Sequence, residues 1–388
     1  MKLYLKIVTM PGYELIGEDE KNNLLSIFSQ NKGILFAHGF DNIRSRYFVR
    51  EFQESLQSYF KVNSALPVSS GTASLKIALK VLNIGPGDEV ITSSFNFIAT
   101  IEAIIDVGAT PIICPCDSNL YMEQEHLRSL ISSKTKAIVP VHMLGYPDDI
   151  ISIINIAESF NLYCLEDACE AVGSTHGDSY IGTLSDFGIF SFDFGKMITT
   201  GEGGCLLTNN KLYSDLSRQY HDHGHLNLAG RSRGNDTAAI PGFNYRITEM
   251  QAAVGQAQLK KIDYILAENK SRVNVLMQSK FISQFARKIY PDMNPTFDTL
   301  VICNLSTKQV SALVDLLNVE SVGTKNVPDA LNWHCSYHWN HCLSSENISL
   351  SESTYLHLTK SVAIPISLLR SLEEYADLAQ KIDTLFYR

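Results

Sequence analysis

The 388-residue sequence predicts an α/β fold, with a mostly parallel sheet covered by helices on both faces and a smaller second domain after it. Three observations carry that expectation. Short apolar runs recur at 89–92, 110–114, 137–141 and 162–165, each four or five residues long and punctuated by Gly, Pro or Asp. The stretches between them, such as 99–107 and 150–160, are long enough for the crossover helices that parallel strands require. Near residue 260 the pattern becomes less regular. Hydrophobic residues make up 45% of the chain and charged residues 19%, so a sizeable core can form and a disordered chain is excluded.

The elements follow in order. Residues 1–8 are apolar but too short for a secretory signal, and Met10-Pro11-Gly12 offers a second start, so the first nine residues read as an upstream extension. Helical spacing of Leu24, Leu25, Ile27 and Phe28, then of Phe48, Phe52, Leu56 and Phe60, predicts helices over 18–30 and 47–60 with a glycine-containing basic loop at 33–46 between them. The strand and crossover pattern runs from Pro67 to about 260. Residues 251–268 read as one long helix with Ala, Leu and Ile along one face. The expected division is a large domain over 1–260, N-terminal segment included, and a small C-terminal α+β domain over 261–388, with an aromatic and His-rich loop at 332–342.

Several classes are disfavoured. The 32 Lys and Arg against 41 Asp and Glu leave a net charge of -9, which argues against nucleic-acid binding while leaving room for a local phosphate site. The eight Cys form no CxxC pair, so reduced thiols in a cytoplasmic protein are expected, with Cys205 a core thiol. No apolar run approaches the roughly 18 residues of a membrane-spanning helix.

Neither G-x-x-x-x-G-K-[ST] nor G-x-G-x-x-G occurs, so the glycines need another ligand. Ser69-Ser70-Gly71-Thr72-Ala73-Ser74 opens a helix, where free N–H groups and the helix dipole suit a phosphate; a plain Ser N-cap is the bland alternative. Leu165-Glu166-Asp167-Ala168-Cys169-Glu170 puts acids at the carboxyl end of a buried strand, where open sheets bind ligands, though an Asp N-cap would use the same residue. In Phe190-Ser191-Phe192-Asp193-Phe194-Gly195-Lys196, a lone Lys follows an apolar strand; poor solvation there would lower its pKa and make the amine nucleophilic, whereas most such lysines snorkel outward. Together, a phosphate cradle, a sheet-end acid and a lysine are the three anchors of pyridoxal 5'-phosphate.

Those stretches, with Gly85-Pro86-Gly87-Asp88-Glu89-Val90-Ile91-Thr92, Phe95-Asn96-Phe97-Ile98-Ala99-Thr100 and Gly242-Phe243-Asn244-Tyr245-Arg246, resemble the DegT/StrS-type sugar aminotransferases of PLP fold type I. The resemblance implies a mostly parallel seven-stranded sheet and a role for each matching residue. Lys196 matches the lysine joined covalently to the cofactor, and Asp167 the acid paired with its ring nitrogen. Gly71, Thr72, Ala73 and Ser191 match the phosphate site, and Phe97 the aromatic stacked on the ring. Asn244 and Arg246 match the segment that reaches a neighbouring subunit's cofactor, which implies a homodimer with shared sites. Two residues depart from the family pattern. Glu170 stands where His or Gln is usual, so an ionised carboxylate would face the cofactor's phenolate unless it is protonated, bridged by water or turned away; Asp193 stands where His is common. Related sugar dehydratases carry His in place of the lysine, so Lys196 implies amino transfer.

L-Glutamate is the implied donor. Residues 10–17, 33–46 and 332–339 are similar to a subgroup that aminates 8-oxo-3-deoxy-manno-octulosonate to 8-amino-3,8-dideoxy-manno-octulosonate for lipopolysaccharide. His38, Arg44, Arg46 and His334 are candidates for that acceptor's carboxylate. The alternatives are a nucleotide-linked 3- or 4-keto-6-deoxy hexose as acceptor, and a non-catalytic PLP-binding sensor. No nucleic acid, membrane or metal is expected; His221-Asp222-His223-Gly224-His225 has the look of a metal cluster but lacks a further ligand set.

Overall fold

In the computed structural model, residues 11–227, 233–236 and 240–387 are described; the N-terminal extension read from the first nine residues lies outside them. Seven strands form the central sheet: β1 (Ser64–Val68), β2 (Glu89–Ser93), β3 (Thr110–Cys114), β4 (Thr135–Val139), β5 (Tyr163–Asp167), β6 (Phe187–Ser191) and β7 (Gly204–Thr208). Their order is β1-β7-β6-β5-β4-β2-β3. Only β7 runs antiparallel to its neighbours, so the other six end on one side. That edge gathers the turns after Val68, Ser93, Asp167 and Ser191, together with the start of β7 at Gly204.

The strands are buried almost throughout, as expected of a sheet covered on both faces. On one face, helix α1 (Glu18–Gln30) and helix α2 (Phe48–Phe60) join the core; α2 turns Phe48, Phe52, Leu56 and Phe60 inward. In α1 only Ile27 and Leu24 reach that core, whereas Leu25 and Phe28 face outward. The other face is covered by helix α3 (Gly71–Val81) and helix α4 (Ala99–Asp106), whose Leu75, Ile77, Leu79 and Ile104 pack on β1, β2 and β6 residues.

The long helix expected over 251–268 is two helices, α5 (Glu249–Leu259) and α6 (Ile262–Leu276). Lys260 and Lys261 form a turn between them, and the Lys261 amine reaches back to Leu15 O at 2.7 Å and Glu20 Oε1 at 2.6 Å. A helical period alone does not register such an anchor. Helix α6 enters two cores, with Ile262 and Ile265 in the first and Val273 and Leu276 in a second. That second core holds β8 (Thr299–Ile302), paired antiparallel with β9 (Val362–Pro365), and helices α7 (Thr307–Val319) and α8 (Leu372–Phe386). Among the described residues no helix is long and apolar enough to cross a membrane.

Candidate active site

The carboxyl edge of the sheet opens into a cavity of about 360 Å³ lined by the three stretches singled out from the sequence and by residues 325, 326 and 334 from the C-terminal part of the chain. Its first wall is the start of α3. Ser70 is the N-cap, and its Oγ accepts from Ala73 N at 3.0 Å. The Ala73 N–H expected to face a phosphate is therefore already engaged, while the N–H groups of Gly71 and Thr72 precede the first intrahelical bond. Close packing requires glycine at 71. A Cβ there would sit 2.8 Å from Cys169 Sγ and 3.1 Å from Ser191 Cβ. Gly204 is held by the same contact from beneath, since its Cβ would meet Gly71 N at 2.5 Å.

The second wall is the end of β5, where adjacent acids do different things. Glu166 is fully buried and accepts from the N–H groups of Gly182, Leu184 and Ser185 at 2.8–3.0 Å, so it organises that loop. Asp167 faces the cavity; its Oδ2 lies 2.7 Å from Thr100 Oγ1 and its Oδ1 accepts from Cys169 N at 3.2 Å.

The third wall is the turn after β6. Asp193 Oδ1 accepts from Gly195 N at 3.0 Å and Asp193 O accepts from Lys196 N at 3.1 Å, which fixes the backbone that presents Lys196. From the N-terminal segment, Gly12 N donates to Lys196 O at 2.8 Å. Lys196 Nζ lies 3.4 Å from Glu170 Oε1. Burial alone would lower the amine's pKa, as the sequence suggested, but the carboxylates of Glu170 and Asp193 outweigh it and hold the amine above the ordinary lysine value. Glu170 is the acidic half of that pair. Burial pushes its carboxyl up, yet Lys196, Lys325, His334 and the Leu144 N–H outweigh burial and bring it down to about 2, so it is ionised and turned toward the lysine.

The remaining candidates separate clearly. Phe97 and His334 meet at the cavity, ring centroids 5.5 Å apart. The His334 imidazole is held below its ordinary value, by burial first. Arg44 and Arg46 lie outside the cavity: Arg44 is buried 3.8 Å from Glu249, and Arg46 forms a two-pronged pair with Glu51 at 2.8 Å. His38 sits 3.6 Å from Asp222. Asn244 and Arg246 are also outside, Arg246 paired with Asp222 and Asn244 Oδ1 accepting from Arg246 N. Of the aromatic loop, only His334 reaches the cavity, since Trp339 is buried against Ile98, Ile101 and Ile113. His221 is buried, which brings it down to about 4, and Asp222 serves Arg246. Among the described residues, no group of three or more His, Cys, Asp or Glu is arranged to hold a metal ion.

Sequence reasoning missed Thr100, Lys325 and Asn326. Thr100 lay inside a quoted motif without a role. Lys325 Nζ pairs with Asp298 at 2.7 Å, and Asn326 Nδ2 lies 3.4 Å from Glu170 Oε1. The flanking Gly323 and Pro328 mark a loop, but nothing local brings that loop to the strand ends.

The residues present fit pyridoxal phosphate. N–H donors over a glycine that tolerates no side chain suit its phosphate, a buried carboxylate suits its ring nitrogen, and an amine suits its aldehyde. Comparison with known proteins agrees. The profile of the DegT/DnrJ/EryC1/StrS aminotransferase family matches residues 40–382. The GDP-perosamine synthase of Escherichia coli O157:H7 is 34% identical over 272 residues, 70% of this chain and 72% of that protein. That of Caulobacter vibrioides is 40% identical over 226 residues, 57% of this chain and 58% of that protein. The solved structure of Spr1654 from Streptococcus pneumoniae in its PLP form aligns with a TM-score of 0.80 over 98% of both chains, at 21% identity, a likeness that speaks for the fold.

Proposed function

Since the chain belongs to the DegT/DnrJ/EryC1/StrS aminotransferase family, we propose that it moves an amino group from L-glutamate to a nucleotide-linked 3- or 4-keto-6-deoxy hexose. That it is a sugar aminotransferase using pyridoxal 5'-phosphate follows from the family. The finer reading rests on the GDP-perosamine synthases among its relatives, and it takes precedence over 8-oxo-3-deoxy-manno-octulosonate, the acceptor the sequence put first. The product belongs to a cell-surface polysaccharide, the enzyme works in the cytoplasm, and the active form is a homodimer in which Asn244 and Arg246 serve the neighbouring site. The same reading takes 1–260 as the cofactor-binding domain and 261–388 as the small domain.

The observation that carries the proposal is the convergence of Gly71, Asp167 and Lys196 on one cavity. The bound cofactor supplies an electron sink for the carbon that loses or gains a proton. The chain's own residues do the rest. The N–H groups of Gly71 and Thr72 and the Ser191 hydroxyl bind the phosphate, and Phe97 packs on the ring. Asp167, fixed by Thr100, keeps the ring nitrogen protonated. Lys196 carries the proton to and from the reacting carbon.

The test has two parts. Borohydride reduction and mass spectrometry should find the cofactor on Lys196, and Lys196→Ala should lose that link and at least about 100-fold of turnover; attachment elsewhere would refute the assignment. Glutamate followed by a panel of keto sugars should then yield an amino sugar from the nucleotide-linked hexoses. A product from 8-oxo-3-deoxy-manno-octulosonate alone would reverse the choice of acceptor, and no product from any sugar would leave a PLP-binding sensor.

A further inference from the structure

The turn that presents Lys196 is closed at its base and held at its centre by a distant part of the chain. At the base, Thr199 Oγ1 and Thr200 N both donate to Phe192 O, at 3.1 and 2.8 Å. Inside the loop, Lys196 N donates to Asp193 O at 3.1 Å, and Lys196 O accepts from Gly12 N at 2.8 Å. Gly12 is buried there with no room for a side chain, since a Cβ would lie 2.4 Å from Lys196 O and 3.0 Å from Thr199 Cβ. The nearer of these is a backbone atom, not the end of a flexible side chain. The segment that carries Gly12 is itself anchored. Glu14 Oε1 and Oε2 accept from Ser367 Oγ and Leu368 N, both at 2.7 Å, and Leu15 O accepts from Lys261 Nζ at 2.7 Å. Leu15 also packs against the first core, whereas Tyr13 and Ile16 are exposed.

We infer that Gly12 is a positioning residue that acts through Lys196: its N–H, on an anchored strap, fixes the lysine carbonyl and so sets where the Lys196 amine meets the cofactor. This rests on the proposed cofactor link at Lys196 and goes beyond it. Gly12 is not among the residues that line the cavity, so it reaches the cofactor only through the lysine. The link forms when the amine, its proton lost to solvent, adds to the aldehyde carbon and the aldehyde oxygen leaves as water. Holding the two groups together makes that addition effectively unimolecular, and the gain falls steeply with a misplacement on the order of 1 Å. A Cβ at residue 12, 2.4 Å from Lys196 O, has to push one of the two segments away. The strap is tied to Ser367, Leu368 and Lys261, so the strain falls on the lysine turn.

The experiment is a double-mutant cycle on the full-length protein, read as cofactor affinity rather than turnover. Wild type, Gly12→Ala, Lys196→Ala and the double variant are freed of cofactor and titrated with pyridoxal 5'-phosphate, and each dissociation constant is measured. With Lys196 present, Gly12→Ala should weaken binding by about tenfold. In the Lys196→Ala background no link can form, and the same substitution should cost about twofold or less. A merely structural role for Gly12 would cost the same in both backgrounds. The inference stands if the loss with Lys196 present exceeds the loss without it by more than about twofold, and is overturned otherwise. Glu14→Ala repeats the cycle without added bulk, because it frees the strap from Ser367 and Leu368, and it decides by the same ratio should Gly12→Ala fail to fold. Borohydride trapping of the wild type keeps the two readings apart. Absence of cofactor on Lys196 defeats the proposed link itself, whereas a trapped link with equal losses defeats only the role of Gly12.

Discussion

Asp167 and Glu166 are neighbours with the same chemistry and opposite uses. Glu166 accepts three backbone N–H groups and a hydroxyl, so its charge is consumed in shaping a loop. Among the described residues, the Asp167 carboxylate accepts from Thr100 and Cys169 and keeps its face to the cavity. Asp167→Asn preserves volume and can still accept from Thr100, so the fold and bound cofactor should survive. What it removes is the negative charge that keeps a ring nitrogen protonated. Turnover should fall by about 100-fold with cofactor content unchanged, measured by steady-state rate and absorbance; turnover near the wild-type rate would remove that role from Asp167.

Among the elements, the start of α3 shows how packing makes a binding site. The Ser70 cap and the dipole would exist on many helices. Here β7 passes directly beneath: Gly204 pairs with Val68 on one side and Ser191 on the other. This brings Gly71 against Ser191 and Cys169, so no side chain at 71 covers the N–H groups there. Gly71→Ala should cost about 1–3 kcal/mol of stability through overpacking and should reduce cofactor retention more than glutamate affinity. Denaturant midpoints and dialysis of the bound cofactor would measure both effects, and an alanine variant with wild-type retention would refute the cradle.

For the whole molecule, the C-terminal part of the chain completes the cavity, and the N-terminal segment ties it there. Gly12 bonds to the carbonyl of Lys196, while the Glu14 carboxylate accepts from Ser367 Oγ and Leu368 N, both at 2.7 Å. Buried acids make the stability of this assembly depend on pH in opposite directions. Glu170 titrates at about 2 in the fold against 4.5 when unperturbed, so its contribution is complete above about pH 4.5 and is lost as the pH falls toward 2. Asp148 is raised by burial to about 6 from 3.8, so the fold holds its proton longer, and its contribution declines as the pH rises through that window. The difference in stability between wild type and Glu170→Gln should therefore narrow as the pH is lowered from about 5 to about 2, which denaturation series at each pH would reveal. A constant difference would mean that the charge of Glu170 does not stabilise the fold.

Local chemistry made much of this protein legible from its residues. Apolar runs at 89–92 and 162–165, the Ser70 cap and the lysine turn after Ser191 are written in neighbouring residues, because strand burial, capping and turn geometry act over a few positions. The break at Lys261 was invisible because its amine is anchored on Leu15 and Glu20, far away in the chain. Arg44 and Arg46 were equally plausible ligands until Glu249 and Glu51 occupied them. The sign of the Lys196 shift was decided by Glu170, and the orientation of Glu170 by Leu144 and Asn326. Sequence determined which groups are available and where the strands end. Tertiary structure alone decided which of those groups meet, since hydrogen bonding and desolvation depend on distances in space that no spacing along the chain encodes.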